Sequence, residues 1–324
     1  MEKQQLKHEL KDIFTSYWQY LALRTACQLN IFDDIENGFD TLKKLVEKNN
    51  ADTKALKTLI YSLIDAKTII EKNGNLQLTE KGKLLTDNSP DTLKQACILW
   101  GSEHLTAWQN LVYTIKTAKP AFENIFHEPY FNFIGKEHQT LENYHLAMSE
   151  YARDDYQNIT QCIDFSEFET IADVGAGTGI LIKKVAKQFQ DKQCILADLP
   201  KVCEFAKSEL QNLKLIETDF FTSLPFKADA IILSKVLHDW NDEKAGEILQ
   251  NCSTALNENG KIIIIEIMQE EVKANFLSLN MLLMTNSYER TYNQYRELLK
   301  KTNIEIQSKN RLNNLQTIII AKKQ

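Results

Sequence analysis

The sequence lacks the cysteine spacing typical of a metal site and the long apolar stretches typical of an export signal or a membrane segment. Its six cysteines form no C-x-x-C pair and no zinc-type spacing, so we expect no zinc site and reduced thiols in a cytoplasm. No apolar run approaches the ~18–20 residues of a membrane span. The first residues, MEKQQLKHEL, lack the apolar stretch of a signal peptide. These absences predict a cytoplasmic protein without a membrane partner.

The sequence also lacks an excess of positive charge. Lysine and arginine total 38 against 44 acidic residues, which gives a formal net charge of −6 and a pI of about 5.7. Nucleic acids and anionic lipids attract proteins with surplus cations. Neither class of partner is therefore expected.

Glycine is scarce, with ten residues in 324, yet three of them fall within five positions of the stretch IADVGAGTG. Apolar residues before Gly175 predict a buried strand, and the helical spacing of LIKKVAKQF predicts a helix after Gly179. A glycine turn there, with Gly177 at its centre, lets the backbone approach a ligand and directs helix amides toward it. Ile180 stands where the dinucleotide fingerprint needs a small residue, which counts against NAD.

Two carboxylates follow at the ends of the next predicted strands. Asp198 ends the apolar run 194–197, and Asp219 follows LKLIET and precedes Phe220. Each alone is typical of a helix cap or turn. Because open α/β sheets bind ligands at the carboxyl ends of their strands, the three landmarks together favour a nucleoside site. Asp198 would accept hydrogen bonds from ribose, while Asp219 and an aromatic ring would face adenine.

These motifs, with the segment around HDW and the later ERT, resemble the class I S-adenosylmethionine-dependent methyltransferases. The similarity is to the small-molecule O-methyltransferase branch of plant caffeic acid O-methyltransferases and bacterial natural-product enzymes. It is densest from Ile171 to Glu266, and it returns from Leu279 to Thr291. The resemblance implies an α/β fold with a Rossmann-like doubly wound sheet, a helical winged-helix dimerisation domain, and S-adenosylmethionine as cofactor.

The resemblance also implies a set of cofactor contacts along the strand ends. Plant members place a lysine four residues before the catalytic histidine, where this chain has Ser234, and its lysine is displaced to Lys235. The expected cofactor residues are Asp173, Gly175, Gly177, Asp198, Leu199, Asp219, Phe220, Ser234, Lys235 and Trp240.

Methyl transfer to oxygen requires alignment and removal of a proton, a task suited to a neutral imidazole. His238 follows the apolar strand AIILSKVL, and the matching family histidine is the general base. The resemblance implies that two carboxylates orient it, Glu266 and Glu289. Glu266 is the stronger candidate, because the alternative for Glu289 is a solvated loop charge beside Arg290. The remaining histidines are expected to be structural or surface residues; they are His8, His104, His127, His138 and His145.

One departure concerns the loop that carries the second acid. The double glycine that family members have before ERT is replaced by Asn286 and Ser287, so the loop that holds Glu289 is open to a different backbone path.

The acceptor pocket is indicated mainly by one matched element, YHLAM, which corresponds to F-N-x-A-M in the family and places Met148 in the pocket. The other candidates, all of which also read as ordinary core, are Trp108, Met281, Met284, Phe122, Phe131 and Phe133. The resemblance implies a small aromatic or conjugated metabolite with a phenolic hydroxyl, without identifying it.

The N-terminal part carries an apolar stripe at helical spacing, formed by Ile13, Phe14, Tyr17, Trp18 and Leu21. Core packing explains such a stripe, whereas the resemblance implies a homodimer. Residues 41–91 outline a winged helix with a hairpin at Asn73 and Gly74. They contain nine lysines, seven acids and no arginine, a balance unlike a DNA-reading face.

We therefore predict three regions: a winged-helix-like dimerisation domain over 1–95, a helical connection to the substrate pocket over 96–160, and a catalytic domain over 161–324. The predicted function is O-methylation of a small aromatic metabolite with His238 as base. Three alternatives stay open: a same-fold enzyme with N-methylation or other chemistry, a winged-helix ligand-sensing regulator, and an NAD oxidoreductase.

Overall fold

A computed structural model describes residues 2–206, 208–270 and 275–323. The chain divides into two compact units, Met1–Leu105 and Thr106–Gln324, and each is described by itself. The finer division at residues 95 and 160 stays a prediction.

The first unit is mostly helical. Its core is formed by apolar side chains such as Phe32, Leu45 and Leu63, all fully buried. Its elements are α1 (Glu2–Gln28), α2 (Ile31–Glu36), α3 (Leu42–Asn49), α4 (Thr53–Asp65), β1 (Ile69–Lys72), β2 (Asn75–Leu78), α5 (Glu80–Lys83) and α6 (Lys94–Leu99).

The predicted hairpin of the winged-helix outline is present. β1 and β2 pair antiparallel, with Lys72 opposite Asn75. Asn73 and Gly74 both have positive φ, 54° and 79°, as a tight two-residue turn between antiparallel strands requires. The helix–helix–hairpin order expected for residues 41–91 is therefore confirmed.

The apolar stripe of α1 is not buried in the core of this unit. Ile13 and Phe14 are each 65% exposed and Trp18 is 62% exposed. Core packing, the ordinary explanation for the stripe, is thus wrong for these residues. An exposed apolar face of this kind marks an interaction surface more often than a free one.

The second unit contains the site. Its helices are α7 (Glu103–Gln109, which includes the boundary), α8 (Leu111–Thr117), α9 (Ala121–Phe126), α10 (Tyr130–Ile134), α11 (His138–Asp155), α12 (Ile159–Cys162), α13 (Ile180–Gln188), α14 (Pro200–Cys203), α15 (Asp242–Ala255), α16 (Asn275–Thr285) and α17 (Tyr292–Lys301), with 3₁₀ turns at Phe165–Glu167 and Leu237–Asp239. Its strands are β3 (Thr170–Val174), β4 (Gln193–Asp198), β5 (Leu213–Glu217), β6 (Ala228–Ser234), β7 (Leu256–Ile267), β8 (Ile304–Arg311) and β9 (Gln316–Lys323).

Within the described residues the seven strands form one sheet in the order β5-β4-β3-β6-β7-β9-β8. All neighbours are parallel except β9, which runs antiparallel to β7 and β8. Alternate residues of β6 enter different apolar clusters: Ile231 and Leu233 pack in one, Ala230 and Ile232 in the other. Both faces of the sheet are therefore buried, and ligands are left the edge where the strands end. The predicted doubly wound α/β fold is confirmed.

One element boundary differs from the sequence prediction. β6 stops at Ser234 instead of running through AIILSKVL, because Lys235 adopts a left-handed conformation with φ of 53°. Glu266 lies at the end of β7, as expected. None of the helices in the described ranges has the length and apolar character that crossing a lipid bilayer requires.

Candidate active site

The glycine turn joins β3 to α13 in a conformation that side chains oppose. Gly175 and Gly177 have φ of 72° and 57°. A Cβ on Gly175 would lie 2.8 Å from Cγ2 of Val236 and 3.4 Å from the ring of Phe220. A Cβ on Gly177 would lie 3.6 Å from Nδ1 of His145. The turn is therefore closely surrounded, and only glycine supplies both the backbone conformation and the space at position 175.

Asp198 lies beside this turn at the end of β4. Its Oδ2 accepts a hydrogen bond from the Gly177 amide at 2.7 Å, and its Oδ1 accepts one from the Leu199 amide at 2.7 Å. Burial raises the pKa of Asp198 to about 6, although both amides lower it. Asp173 is buried nearby, and burial together with the charge of Asp198 raises its pKa to about 7.

The adenine candidates form an aromatic group at the same edge. The ring of Phe220 is 6.0 Å from that of Trp240, edge to face. Trp240 also stacks on Phe131 at 5.7 Å. Asp219 Oδ1 accepts a hydrogen bond from the Phe221 amide at 2.9 Å, so this oxygen holds its own turn. The sequence left two functions open for Asp219, an adenine contact or a turn. The hydrogen bond to the Phe221 amide supports the turn.

The last residue of β6 and the residue that follows it face other protein groups. The Ser234 hydroxyl is 2.7 Å from the Tyr156 hydroxyl. The Lys235 ammonium donates to Asp155 at 2.7 Å and lies 5.6 Å above the Tyr156 ring. Their assignment to the cofactor stays a prediction, and the geometry accounts for Lys235 without it.

His238 lies in the 3₁₀ turn Leu237–Asp239. Its Nδ1 is 2.7 Å from Oε1 of Glu289. Glu266 Oε1 instead accepts from the backbone amides of Leu237 at 3.0 Å and His238 at 3.3 Å, while its other oxygen is 3.8 Å from Nδ1. The order of the two acids is thus reversed relative to expectation, because Glu289 binds the imidazole and Glu266 holds the backbone. Both are fully buried, so the alternative of a solvated loop charge for Glu289 is wrong.

Arg290 fastens the same turn from the other side. It is fully buried, and its Nη1 and Nη2 donate to the carbonyls of Leu237 and Trp240, both at 2.7 Å. Its Nε donates to Asp242 at the start of α15 at 2.9 Å. A planar guanidinium can make these three bonds in fixed directions. The turn that presents His238 is therefore held by side chains on two sides.

The carboxylates around His238 change its protonation. Burial favours the neutral imidazole, but the charges of Glu289, Glu266 and Asp239 outweigh it and raise the pKa of His238 to about 10. Burial raises the pKa of Glu266 to about 7, against the lowering effect of His238. The neighbouring carboxylates therefore favour the protonated imidazole, which must release one of its two protons before it can act as a base.

The altered loop before ERT keeps its acid in place. Asn286 takes the left-handed conformation, φ 58°, that a glycine would adopt easily and that asparagine tolerates. The buried Ser287 hydroxyl donates to the Trp240 carbonyl at 2.9 Å. The substitution of both glycines is therefore accommodated, and Glu289 reaches His238.

His238, Glu266 and Glu289 offer ligand atoms within 4.8 Å of one another, a spacing that suits a metal ion. The imidazole–carboxylate hydrogen bond and the two backbone amides already account for this arrangement. The charge of Arg290 also acts on Glu266. These contacts account for the cluster without a metal ion, and we assign none to it.

The acceptor-side candidates do not all face one space. Trp108 donates its indole N–H to Asn280 at 2.9 Å. Met284 is 2% exposed and packs with the fully buried Phe122 in an apolar cluster, which Phe131 and Phe133 flank. Met281 is 7% exposed, whereas Met148 on α11 is half-buried. Phe122 and Met284 are therefore core residues in geometry, and Met148 and Trp108 remain candidates for the pocket.

Sequence reasoning did not assign functions to Tyr144, His145 and Asp239. His145 lies over the glycine turn, and burial lowers its pKa to about 4. Asp239 Oδ1 is 3.8 Å from Nε2 of His238. Two sequence elements could have indicated these residues. The YHLAM element begins with Tyr144 and His145 where the family has F-N, and the HDW element has Asp239 directly after the predicted base.

A glycine turn, strand-end carboxylates and a histidine paired with a buried acid, on this seven-stranded sheet, define a methyltransferase-type α/β enzyme. The O-methyltransferase domain model matches residues 108–304. The chain therefore belongs to the O-methyltransferase family, and it is an enzyme of that family. The resemblance stated from the motifs is confirmed, and the oxidoreductase and regulator alternatives are not supported.

Individual relatives agree over nearly the whole chain. Phenazine O-methyltransferase PhzM of Lysobacter antibioticus is 29% identical over 300 residues, covering 89% of this chain and 88% of the relative. The crystal structure of LaPhzM has a TM-score of 0.93, is 26% identical and covers 98% of this chain and 99% of its own. Human N-acetylserotonin methyltransferase, solved in complex with SAM, has a TM-score of 0.90 with 24% identity and covers 98% of both chains.

Proposed function

We propose that this enzyme transfers a methyl group from S-adenosylmethionine to a phenolic hydroxyl of a small aromatic metabolite, with His238 as general base. The observation that carries the proposal is the 2.7 Å contact between Nδ1 of His238 and the buried Glu289, at the strand-end edge that also holds the glycine turn. With Nδ1 engaged, Nε2 is the nitrogen that takes the hydroxyl proton.

The residues at the glycine turn suit the cofactor. Gly175 and Gly177 keep side chains out of the turn, so its backbone can approach a ligand. Asp198 uses one lone pair of each oxygen for an amide, so two acceptor positions remain for ribose hydroxyls. Phe220 and Trp240 supply aromatic surface for a purine. When bound, S-adenosylmethionine supplies an electrophilic methyl on a sulfonium.

The base works through its neighbours. Glu289 accepts from Nδ1 and stabilises the positive charge that the imidazole gains when Nε2 takes a proton. Glu266 and Arg290 fix the backbone of the turn, so the ring is presented in one orientation. This holding of the base before reaction is the main contribution of the chain itself.

The test is isothermal titration of the purified protein with S-adenosylhomocysteine, followed by a methyl-acceptor screen. We expect saturable binding near one ligand per chain, and methylation of phenols but not of the matching anilines. No binding by folded protein would overturn the cofactor assignment. Methylation of anilines alone would overturn O-methylation in favour of the N-methylating alternative.

We also propose that the enzyme is a homodimer joined through α1. Its exposed stripe includes six large apolar side chains that are more than half exposed: Leu6, Leu10, Ile13, Phe14, Tyr17 and Trp18. A second copy of the same stripe would cover this face with matching apolar surface, as isologous interfaces do.

Sedimentation velocity tests the dimer. The wild type should sediment at about twice the 37.4 kDa of one chain, and Trp18→Glu should yield monomers because it places a charge in the covered face. Asp12→Lys, a charge change on the exposed opposite side of α1, is the matched control and should remain dimeric. A monomeric wild type at micromolar concentration would contradict the proposal.

A further inference from the structure

Three polar groups, one on the proposed base and two on nearby residues, have no hydrogen-bond partner within the part of the chain that the structure describes. They are Nε2 of His238, the carboxylate of Asp239 and the hydroxyl of Tyr144. Oδ1 of Asp239 lies 3.8 Å from Nε2, too far for a hydrogen bond. His238 and Asp239 are largely buried, with 11% and 18% of their side chains exposed. Partly buried polar groups of this kind are costly unless a ligand or solvent pairs with them.

Tyr144 belongs to this group by position. It lies on α11, with its ring 6.2 Å from that of Phe131, which stacks on Trp240 two residues after His238. On its other side the ring is 5.3 Å from that of His145, which covers Gly177. After burial, the charges of Asp239 and then Asp198 act most on its phenol and raise its pKa. The ring of Tyr144 therefore contacts Phe131 on the catalytic side and His145 on the cofactor side, and its phenol is near enough to Asp239 and Asp198 to be affected by their charges.

One hydroxyl of an acceptor cannot pair with all three groups. The hydroxyl that is methylated faces Nε2 of His238. An unpaired carboxylate accepts a hydrogen bond, and a phenol donates one. A second hydroxyl meets both requirements, since it donates to the carboxylate and accepts from the phenol. A carboxylate substituent on the acceptor would be repelled by Asp239.

We propose that Tyr144 and Asp239 together hold a second hydroxyl of the acceptor, on the ring carbon next to the hydroxyl that faces His238. The substrate class is then an aromatic vicinal diol, and Tyr144 is a specificity-determining residue. The short separation of Nε2 and Oδ1 suits oxygens on neighbouring ring carbons. This inference rests on the proposed function and narrows its acceptor.

Tyr144→Phe is a sharp test, because it removes one oxygen and installs the residue of the family's F-N-x-A-M element. The variant is compared with wild type after both are saturated with S-adenosylhomocysteine, and binding of 2,3-dihydroxynaphthalene and 2-naphthol is measured by calorimetry. Binding, not turnover, is the readout. Tyr113→Phe, which removes a hydroxyl from the same apolar cluster, is the matched control.

We expect wild type to bind the diol at least tenfold more tightly than 2-naphthol. Tyr144→Phe should weaken diol binding roughly three- to tenfold, the cost of one neutral hydrogen bond, while 2-naphthol and S-adenosylhomocysteine binding change less than twofold. Tyr113→Phe should keep the preference. Asp239→Asn should also reduce the preference, because an amide replaces the charged acceptor.

Equal weakening of both naphthols in Tyr144→Phe would show a packing role and overturn the proposal. So would a wild type that binds the diol no better than 2-naphthol, or not at all, while it still binds S-adenosylhomocysteine. Failure of S-adenosylhomocysteine to bind would instead overturn the proposed function, so the two failures are distinguishable.

Discussion

Two pairs of buried or half-buried carboxylates lie at opposite ends of the site, and they differ in what compensates their charge. Glu266 and Glu289 contact His238 and its turn. Asp173 and Asp198 have only backbone amides, and burial raises the pKa of both. Among the described groups, no cation acts on the second pair strongly enough to offset this. The catalytic end is thus compensated within the chain, whereas the cofactor end is completed by what binds there.

If this contrast is correct, substitutions can impair catalysis and cofactor binding separately. The largest loss of activity is expected when the base is removed. His238→Ala should reduce turnover roughly 10²- to 10⁴-fold, the usual effect of losing a general base, with S-adenosylhomocysteine affinity within twofold of wild type. Initial rates and calorimetry check this. His8→Ala, on the exposed surface of α1, is the control. A parallel loss of cofactor affinity would join the two ends and contradict the comparison.

At the cofactor end the expected effect is on binding. Asp198→Asn should weaken S-adenosylhomocysteine roughly 10- to 100-fold, because the ribose hydroxyls lose a charged acceptor. Asp191→Asn, an exposed acid with 77% of its side chain accessible, should bind normally. Calorimetric titration measures both. Unchanged affinity in Asp198→Asn would remove the ribose assignment.

Glu289→Gln sharpens the description of the catalytic end. The amide keeps the size of the side chain but not its charge, so we expect kcat to fall roughly 10- to 100-fold. Because the charge of Glu289 raises the pKa of His238, the variant should also reach its limiting rate at lower pH. The pH dependence of kcat decides the matter, and an unshifted profile would mean that Glu289 does not set the protonation of the base.

The cofactor end should be the more pH-sensitive in binding. The pKa of Asp198 is raised to about 6, and ribose hydroxyls pair with its ionised form. Affinity should therefore rise with pH, by about tenfold between pH 5 and 7.5, and level off above. Titrations across this range test the sign. The dependence should vanish in Asp198→Asn, and a rise that persists there would assign the proton elsewhere, with Asp173 the first candidate.

The smallest effect is expected from Lys235→Met. Its ammonium already pairs with Asp155, so S-adenosylhomocysteine affinity should change less than threefold by calorimetry. A tenfold loss of S-adenosylhomocysteine affinity would indicate that Lys235 contacts the cofactor, as the resemblance implied. The cofactor end would then include a protein cation.

Much of the fold could be predicted from the sequence because the patterns that indicate its elements are local. The strand before Gly175, the helix after Gly179 and the hairpin at Asn73 all rest on short-range patterns that the structure reproduces. The end of β6 was missed because the left-handed Lys235 has no propensity signal.

The site was predicted less completely. Strand-end position identified Asp198 and His238, but the exchange of tasks between Glu266 and Glu289 depends on distances across segments 23 residues apart in the sequence. Tyr144 and Asp239 stand out only in three dimensions, because their side chains have no hydrogen-bond partner among the described residues. An unpaired polar group is a property of three-dimensional packing, which residue spacing does not encode.

Arg290 has a consequence for redesign. Arg290 joins the loop of Glu289 to the carbonyls of Leu237 and Trp240. The base and its acid are therefore held together as one structural unit. Tyr144, the residue proposed to contact the acceptor, lies on a different element, α11, far in sequence from that unit. Substrate range can then evolve or be engineered on α11 by substitutions that leave proton transfer tuned as it is.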